Sequence, residues 1–160
     1  MDDLTAALGG HVTVDAVARR YASRDHAWLS PVLDAATPVD AVADVVVDPA
    51  TVEDLAVVLG LAYRHRAAVT VRGKGTGNFG QAIPLAQGIV VDLSRRFDAA
   101  ITVDQGWLTA GAGASFTRME AAAAATGQEL AMFPSTVSST LGGFLGGGAG
   151  GTGSIENGFI

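Results

Sequence analysis

Ten residues, Arg72-Gly73-Lys74-Gly75-Thr76-Gly77-Asn78-Phe79-Gly80-Gln81, carry the densest chemical signal in this sequence. Glycines let a backbone take positive φ or approach a ligand closely, and successive N–H groups in such a turn form a concave nest for an anion. Arg72 and Lys74, the only lysine of the chain, add positive charge; Thr76 and Asn78 add short hydrogen-bonding groups. That combination suits a phosphate or pyrophosphate. A tight turn with incidental charges is the plainer alternative.

Three better-known phosphate loops fit poorly. Gly75-x-Gly77-x-x-Gly80 satisfies the bare dinucleotide pattern, but Pro84 and Gly88 stand where the required helix should run. Asp92 also falls too early for an acidic ribose ligand. Gly73-Lys74 is followed by Gly75 rather than Ser or Thr, which removes a Walker A loop. A kinase glycine loop needs a second, downstream lysine.

A second glycine cluster begins about 60 residues later, with nine glycines from Gly142 to Gly158. It follows Pro134-Ser135-Thr136-Val137-Ser138-Ser139-Thr140-Leu141. Phe144, Leu145, Ile155, Phe159 and Ile160 interleave with it, which a flexible linker would not need. Two side-chain-poor surfaces suggest a long, flat ligand held along bare backbone.

The elements that position these loops follow from periodicity. Residues 12–22 read as a short helix with Val14, Val17, Ala18 and Tyr21 as its apolar positions, and residues 23–42 as a loop broken by Pro31 and Pro38. Val45-Val46-Val47 is a buried strand, after which Thr51 and Asp54 form a capping box for a helix closed by Arg64, His65 and Arg66. Strands are expected over residues 68–71, 88–93, 100–103, 107–110 and 130–133, with Trp107 in the core. Thr117 and Glu120 suggest a capping box opening an alanine-rich helix that stops at Gly127. This is an α+β pattern without internal repeats.

Composition narrows the function. Ten basic and sixteen acidic residues give a net charge of −6 with no basic run, a poor match to nucleic acid. The chain has no cysteine, which removes disulfides, thiolate metal sites and a cysteine nucleophile. His11, His26 and His65 are scattered without carboxylates at ligand spacing, so no metal site is expected, and Ser135, Ser138 and Ser139 sit in no nucleophile elbow. Asp25-His26 beside Trp28 reads as an ordered loop over the core, with contact to the edge of a bound ligand as the alternative. The acidic start and the lack of a long apolar run point to a cytoplasmic chain with no transmembrane segment.

In this order, the two loops resemble those of the FAD-binding domain in the p-cresol methylhydroxylase/vanillyl-alcohol oxidase flavoprotein superfamily. Arg72, Gly73, Gly75, Thr76 and Gly80 match its Arg-Gly-x-Gly-Thr-x-x-x-Gly pyrophosphate loop. Pro134, Thr140, Leu141, Gly142, Gly143, Gly151 and Gly158 match its second segment. The resemblance covers about residues 40–160 and implies FAD lying between two small α+β subdomains. Residues 41–160 would form this domain, continuing past residue 160, and residues 1–40 a preceding helix and loop.

The cofactor contacts implied by the resemblance are, in the first loop, Arg72, Gly73, Lys74, Gly75, Thr76, Gly77, Asn78, Gly80 and Gln81. In the second they are Pro134, Ser135, Thr140, Gly142, Gly143, Gly147, Gly151, Thr152 and Gly158. Thr76 stands where members with covalent flavin carry histidine, so non-covalent FAD is implied. The implied activity is oxidation of a small hydroxy acid, alcohol or sugar-type substrate, with oxygen, a quinone or another acceptor taking the electrons. No catalytic residue is assigned. A related UDP-sugar reductase and a non-catalytic cofactor-binding subunit are the alternatives.

Overall fold

The computed structural model describes residues 1–28, 41–97 and 101–159. These form a four-stranded sheet, a separate hairpin and several short helices. In chain order the first elements are α1 (Asp2–Leu8), a 3-10 turn (Gly9–His11), β1 (Val12–Thr13), α2 (Ala16–Ala22), β2 (Val45–Val47), α3 (Val52–His65), β3 (Val69–Arg72) and β4 (Ile89–Asp92). The sheet order is β1-β2-β4-β3, with β1 antiparallel to β2 and both β2 and β3 parallel to β4. Strand β4 therefore slots between the two strands that α3 connects.

The valine runs explain this centre. Parallel strands covered on both faces read as continuous apolar runs, and every residue of β2 and β4 is buried. Side chains alternate between the faces. Val45, Val47, Ile89 and Val91 pack with Leu4 and Leu8 of α1 and with Val58, Leu61 and Ala62 of α3. Val46 and Val90 face the other way, onto Ala22 and Ala43.

The remaining elements are β5 (Thr102–Asp104), β6 (Trp107–Thr109), α4 (Phe116–Ala124), α5 (Leu141–Gly146) and α6 (Ser154–Asn157). They surround a second, smaller core of Ala114, Phe116, Met119 and Phe144. The Phe116 and Phe144 rings meet edge to face, with centroids 5.2 Å apart. Two apolar clusters thus underlie two small α+β units. The halves also join through backbone, Gly113 N–H donating to Phe97 O at 3.0 Å.

Several local expectations are corrected. Val12 and Thr13 are not helical: they pair with Val47 and Val46, and α2 starts only at Ala16, where the Asp15 carboxylate accepts the Ala18 N–H at 2.9 Å. Val17 and Tyr21, expected as apolar positions, are exposed. Helix α1 was not anticipated; Leu4 and Leu8 alone bury its inner face. Trp107 is 80% exposed on its two-stranded hairpin rather than in the core.

At α4 the cap is Ser115, not Thr117. Thr117 Oγ1 donates to Val137 O, and the Glu120 carboxylate accepts the Leu130 N–H, so both expected capping side chains serve tertiary contacts. The helix ends at Ala124, short of Gly127. Residues 130–133 form no strand, only a single bridge between Phe133 and Thr152. The glycine-rich stretch contains α5 and α6 instead of being loop throughout. The expected breaks at Pro31 and Pro38, and the first residue of the 100–103 strand, lie outside the described residues.

The Thr51–Asp54 capping box is present as expected. Thr51 Oγ1 accepts the Asp54 N–H at 3.1 Å, while the Asp54 carboxylate accepts N–H groups from Ala50 and Thr51. The Ala50 N–H leads the causes that hold this carboxyl below its ordinary value, with Thr51 adding to it and desolvation opposing. Because the folded pKa is depressed, the stabilisation is complete above about pH 4 and fades as pH falls through the lowered folded value. Two outcomes follow for thermal unfolding. Thr51→Ala should cost about 1 kcal/mol at neutral pH. Asp54→Asn should lower Tm at pH 7, with the gap to the parent protein closing as the pH is lowered below that window.

Candidate functional site

Strand β3 delivers Arg72 to the edge of the first glycine loop. No helix follows; turns carry the chain to Gly88, in agreement with the rejection of a dinucleotide-type helix. Gly75 has φ +68°, and a Cβ there would overlap the Arg72 guanidinium and lie 3.2 Å from Arg24 O. Gly80, at φ +81°, closes the turn by accepting the Ile83 N–H at 3.1 Å. Lys74, Asn78 and Gln81 are exposed. The Gln81 Oε1 lies 2.9 Å from where a Cβ on Gly77 would sit.

The backbone N–H groups of Lys74, Gly75, Thr76, Gly77 and Asn78 meet no acceptor among the described residues. Lys74 and Asn78 are exposed and Gly75, Thr76 and Gly77 half-buried, so these five successive donors are open to water or to a ligand. They are the feature a diphosphate would satisfy.

Arg72 requires a correction. The sequence suggests a cation facing the ligand, but the side chain is 5% exposed and turned inward. Its Nη1 donates to the carbonyls of Tyr21, Ala22 and Arg24, and its Nε donates to Gly73 O. Of the two charges in the loop, only that on Lys74 faces solvent.

The two glycine segments meet, as a shared site requires. Thr76 Oγ1 and Ser139 Oγ share a hydrogen bond at 2.8 Å. Gly73 lies so close to Thr140 that an added Cβ would overlap the Thr140 Oγ1. Thr140, 2% exposed, also caps α5 through its hydroxyl, which accepts the Gly143 N–H. The next donors are used internally too: Leu141 N–H goes to Ala114 O and Gly142 N–H to Ala112 O. The start of α5 is therefore no second anion nest.

The glycines of the second segment divide into two kinds. A Cβ on Gly142 would press on Ala112, and one on Gly151 would overlap Phe133 O, so these permit close packing inside the domain. Gly143 and Gly147 are exposed, with Gly147 N–H donating to Gly143 O. Pro134 is buried and Ser135 exposed. Thr152 exposes its side chain while its backbone pairs with Phe133, and Gly158, at φ +86°, ends α6. Gly73, Thr76 and Thr140 are thus brought together; Gly147 and Gly158 bond within their own segment, and Gly151 and Thr152 pack and pair against Phe133 just before it.

The contacts that Ser139, Asp25 and His26 make with the first loop were not expected from the sequence. Ser139 is buried against a residue 63 positions away. His26 N–H donates to Gly77 O at 2.9 Å, and Asp25 Oδ2 faces Ala82 N at 3.5 Å. Nothing in the local sequence marks either contact.

Residues 43–160 match the FAD binding domain family. The chain belongs to that family. It is 30% identical to a D-lactate dehydrogenase of Archaeoglobus fulgidus over 71% of this chain and 26% of that protein. It is 36% identical to a D-2-hydroxyglutarate dehydrogenase of Escherichia coli over 72% of this chain and 12% of that one. The chain thus spans 26% and 12% of the lengths of these two curated relatives. The fold superposes on a solved alkyldihydroxyacetonephosphate synthase with a TM-score of 0.81, covering 99% of this chain and 31% of that one at 23% identity. FAD is the cofactor of this domain, and the unpartnered donors of the first loop fit its diphosphate. Among the described residues no helix is long and apolar enough to cross a membrane.

The contact between the loops can be tested by a double-mutant cycle. Thr76→Val and Ser139→Ala should each destabilise the protein, and their combination should fall short of the sum by about 1 kcal/mol in denaturant unfolding. Additive losses would show that the hydroxyls do not interact.

Proposed function

We propose that this chain is the FAD-holding part of an oxidoreductase acting on a small D-2-hydroxy acid, with the flavin bound non-covalently. The observation that carries the reading is the run of free N–H donors on the first loop, pinned against the second loop by the Thr76–Ser139 hydrogen bond. When bound, FAD supplies the redox chemistry, accepting a hydride from a substrate carbon and passing the electrons to an acceptor.

The chain's own part is binding and orientation. Residues 74–78 would hold the diphosphate through backbone N–H groups, which cost no side-chain ordering. The Lys74 ammonium would add a screened, solvent-exposed attraction. Thr76 stands in this loop with its hydroxyl already committed to Ser139, and the sequence contains no cysteine, which together favour a cofactor held without a covalent bond. The hydroxy-acid class is supported by the names of the Archaeoglobus and Escherichia relatives.

An absorption spectrum after FAD loading and desalting tests the reading directly. A retained flavin band released by acid is expected; a colourless folded protein would sink it. Lys74→Ala should weaken FAD binding by only about threefold to tenfold, and less in high salt, as befits an exposed charge. In the polypeptide carrying this domain, D-lactate or D-2-hydroxyglutarate should bleach the flavin under anaerobic conditions. Bleaching by sugar alcohols alone would replace the hydroxy-acid assignment.

A further inference from the structure

We propose that Arg72 is a positioning residue for the diphosphate loop: by fastening residues 21–27 beneath it, the buried guanidinium turns the loop's N–H groups outward. The inference rests on the reading above, that residues 74–78 hold the FAD diphosphate. It adds that residues outside the family-matched stretch of 43–160 set cofactor affinity.

In a planar trans peptide the C=O and the following N–H point in opposite directions. Gly73 O accepts from Arg72 Nε at 3.1 Å, which aims the Lys74 N–H away from the guanidinium. Gly77 O accepts from His26 N–H at 2.9 Å, which aims the Asn78 N–H away from the 21–27 segment. Both ends of the donor run are therefore oriented by bonds made on its inner side.

Those bonds depend on where residues 21–27 lie, and Arg72 decides that. The last carbonyls of a helix lack intrahelical partners. Arg72 Nη1 donates to three at the end of α2 and just beyond it, those of Tyr21, Ala22 and Arg24. It thus caps α2 from about 50 residues away in the chain. The Tyr21 ring lies over the guanidinium, 5.9 Å from its carbon. Beyond the cap, the Asp25 carboxylate accepts the Ala27 N–H at 2.9 Å and faces Ala82 N at the far side of the loop. Arginine suits this role because its planar fork serves several acceptors at fixed angles, whereas lysine is a point charge.

The test uses Arg72→Lys, with Asp25→Ala as a second variant that leaves the buried cation in place. Three quantities are read: FAD affinity by flavin fluorescence, the 31P resonances of bound FAD, and thermal unfolding of the apoprotein. Arg72→Lys should weaken FAD binding about tenfold or more, the equivalent of roughly one hydrogen bond, and shift the 31P resonances of the FAD that remains bound. Asp25→Ala should weaken binding by a smaller factor, with a 31P shift in a protein that still folds. If both variants melt earlier but keep the parent affinity and 31P resonances, Arg72 is only structural and the proposal fails. Should Arg72→Lys not fold, Asp25→Ala alone decides: parent-like affinity and resonances overturn the proposal. Failure of the underlying reading looks different, because the parent protein's own FAD would then show 31P resonances unmoved from those of free FAD.

Discussion

The close approach of Gly73 to Thr140 is the constraint on which the rest of the arrangement depends. A side chain at position 73 would collide with the Thr140 hydroxyl, and that hydroxyl is already committed to the first turn of α5. Thr140 also forms a bridge with Ser115, the cap of α4, so its place is set by the packing of the smaller core. The loop after β3 can therefore lie against the second segment only with glycine at its first position. Once it does, Thr76 reaches Ser139, and two stretches far apart in sequence become one surface.

Glycine serves three different physical purposes in this chain. At Gly75 and Gly80 it supplies positive φ. At Gly73, Gly142 and Gly151 it removes a Cβ that would strike a neighbouring backbone or buried side chain. Gly148 shares the positive φ, at +57°, whereas Gly146 has neither a positive φ nor an atom near its Cβ position. In the second segment, Gly146 alone of these keeps the simple picture of bare backbone open to a ligand. Glycine density alone could not separate these purposes.

Charge is distributed in an unexpected way. The chain carries −6 overall, and a phosphate loop in such a protein invites the idea that arginine and lysine together attract the anion. Instead the arginine neutralises partial charges inside the fold, on carbonyls at the end of α2, and leaves the loop with neutral N–H donors and a single exposed ammonium. A buried guanidinium with several carbonyl acceptors is a stable use of that group, since a buried cation without partners would be costly.

Much of the fold was legible in the sequence for local reasons. The valine triplet 45–47, the Thr51–Asp54 capping box and the strands around residues 69–72 and 89–92 follow from periodicity and short-range hydrogen bonding. So did the two glycine segments, whose composition has few uses. Residue types alone thus dictate which backbone must be strained or bare, because conformational cost is a property of the residue. What each polar group in that backbone does depends instead on long-range packing. Arg72 turns inward, Thr117 abandons a cap for Val137, and Val12 joins a strand because partners distant in sequence outbid the local choice. Those partners are chosen by packing, and no residue spacing along the chain records them.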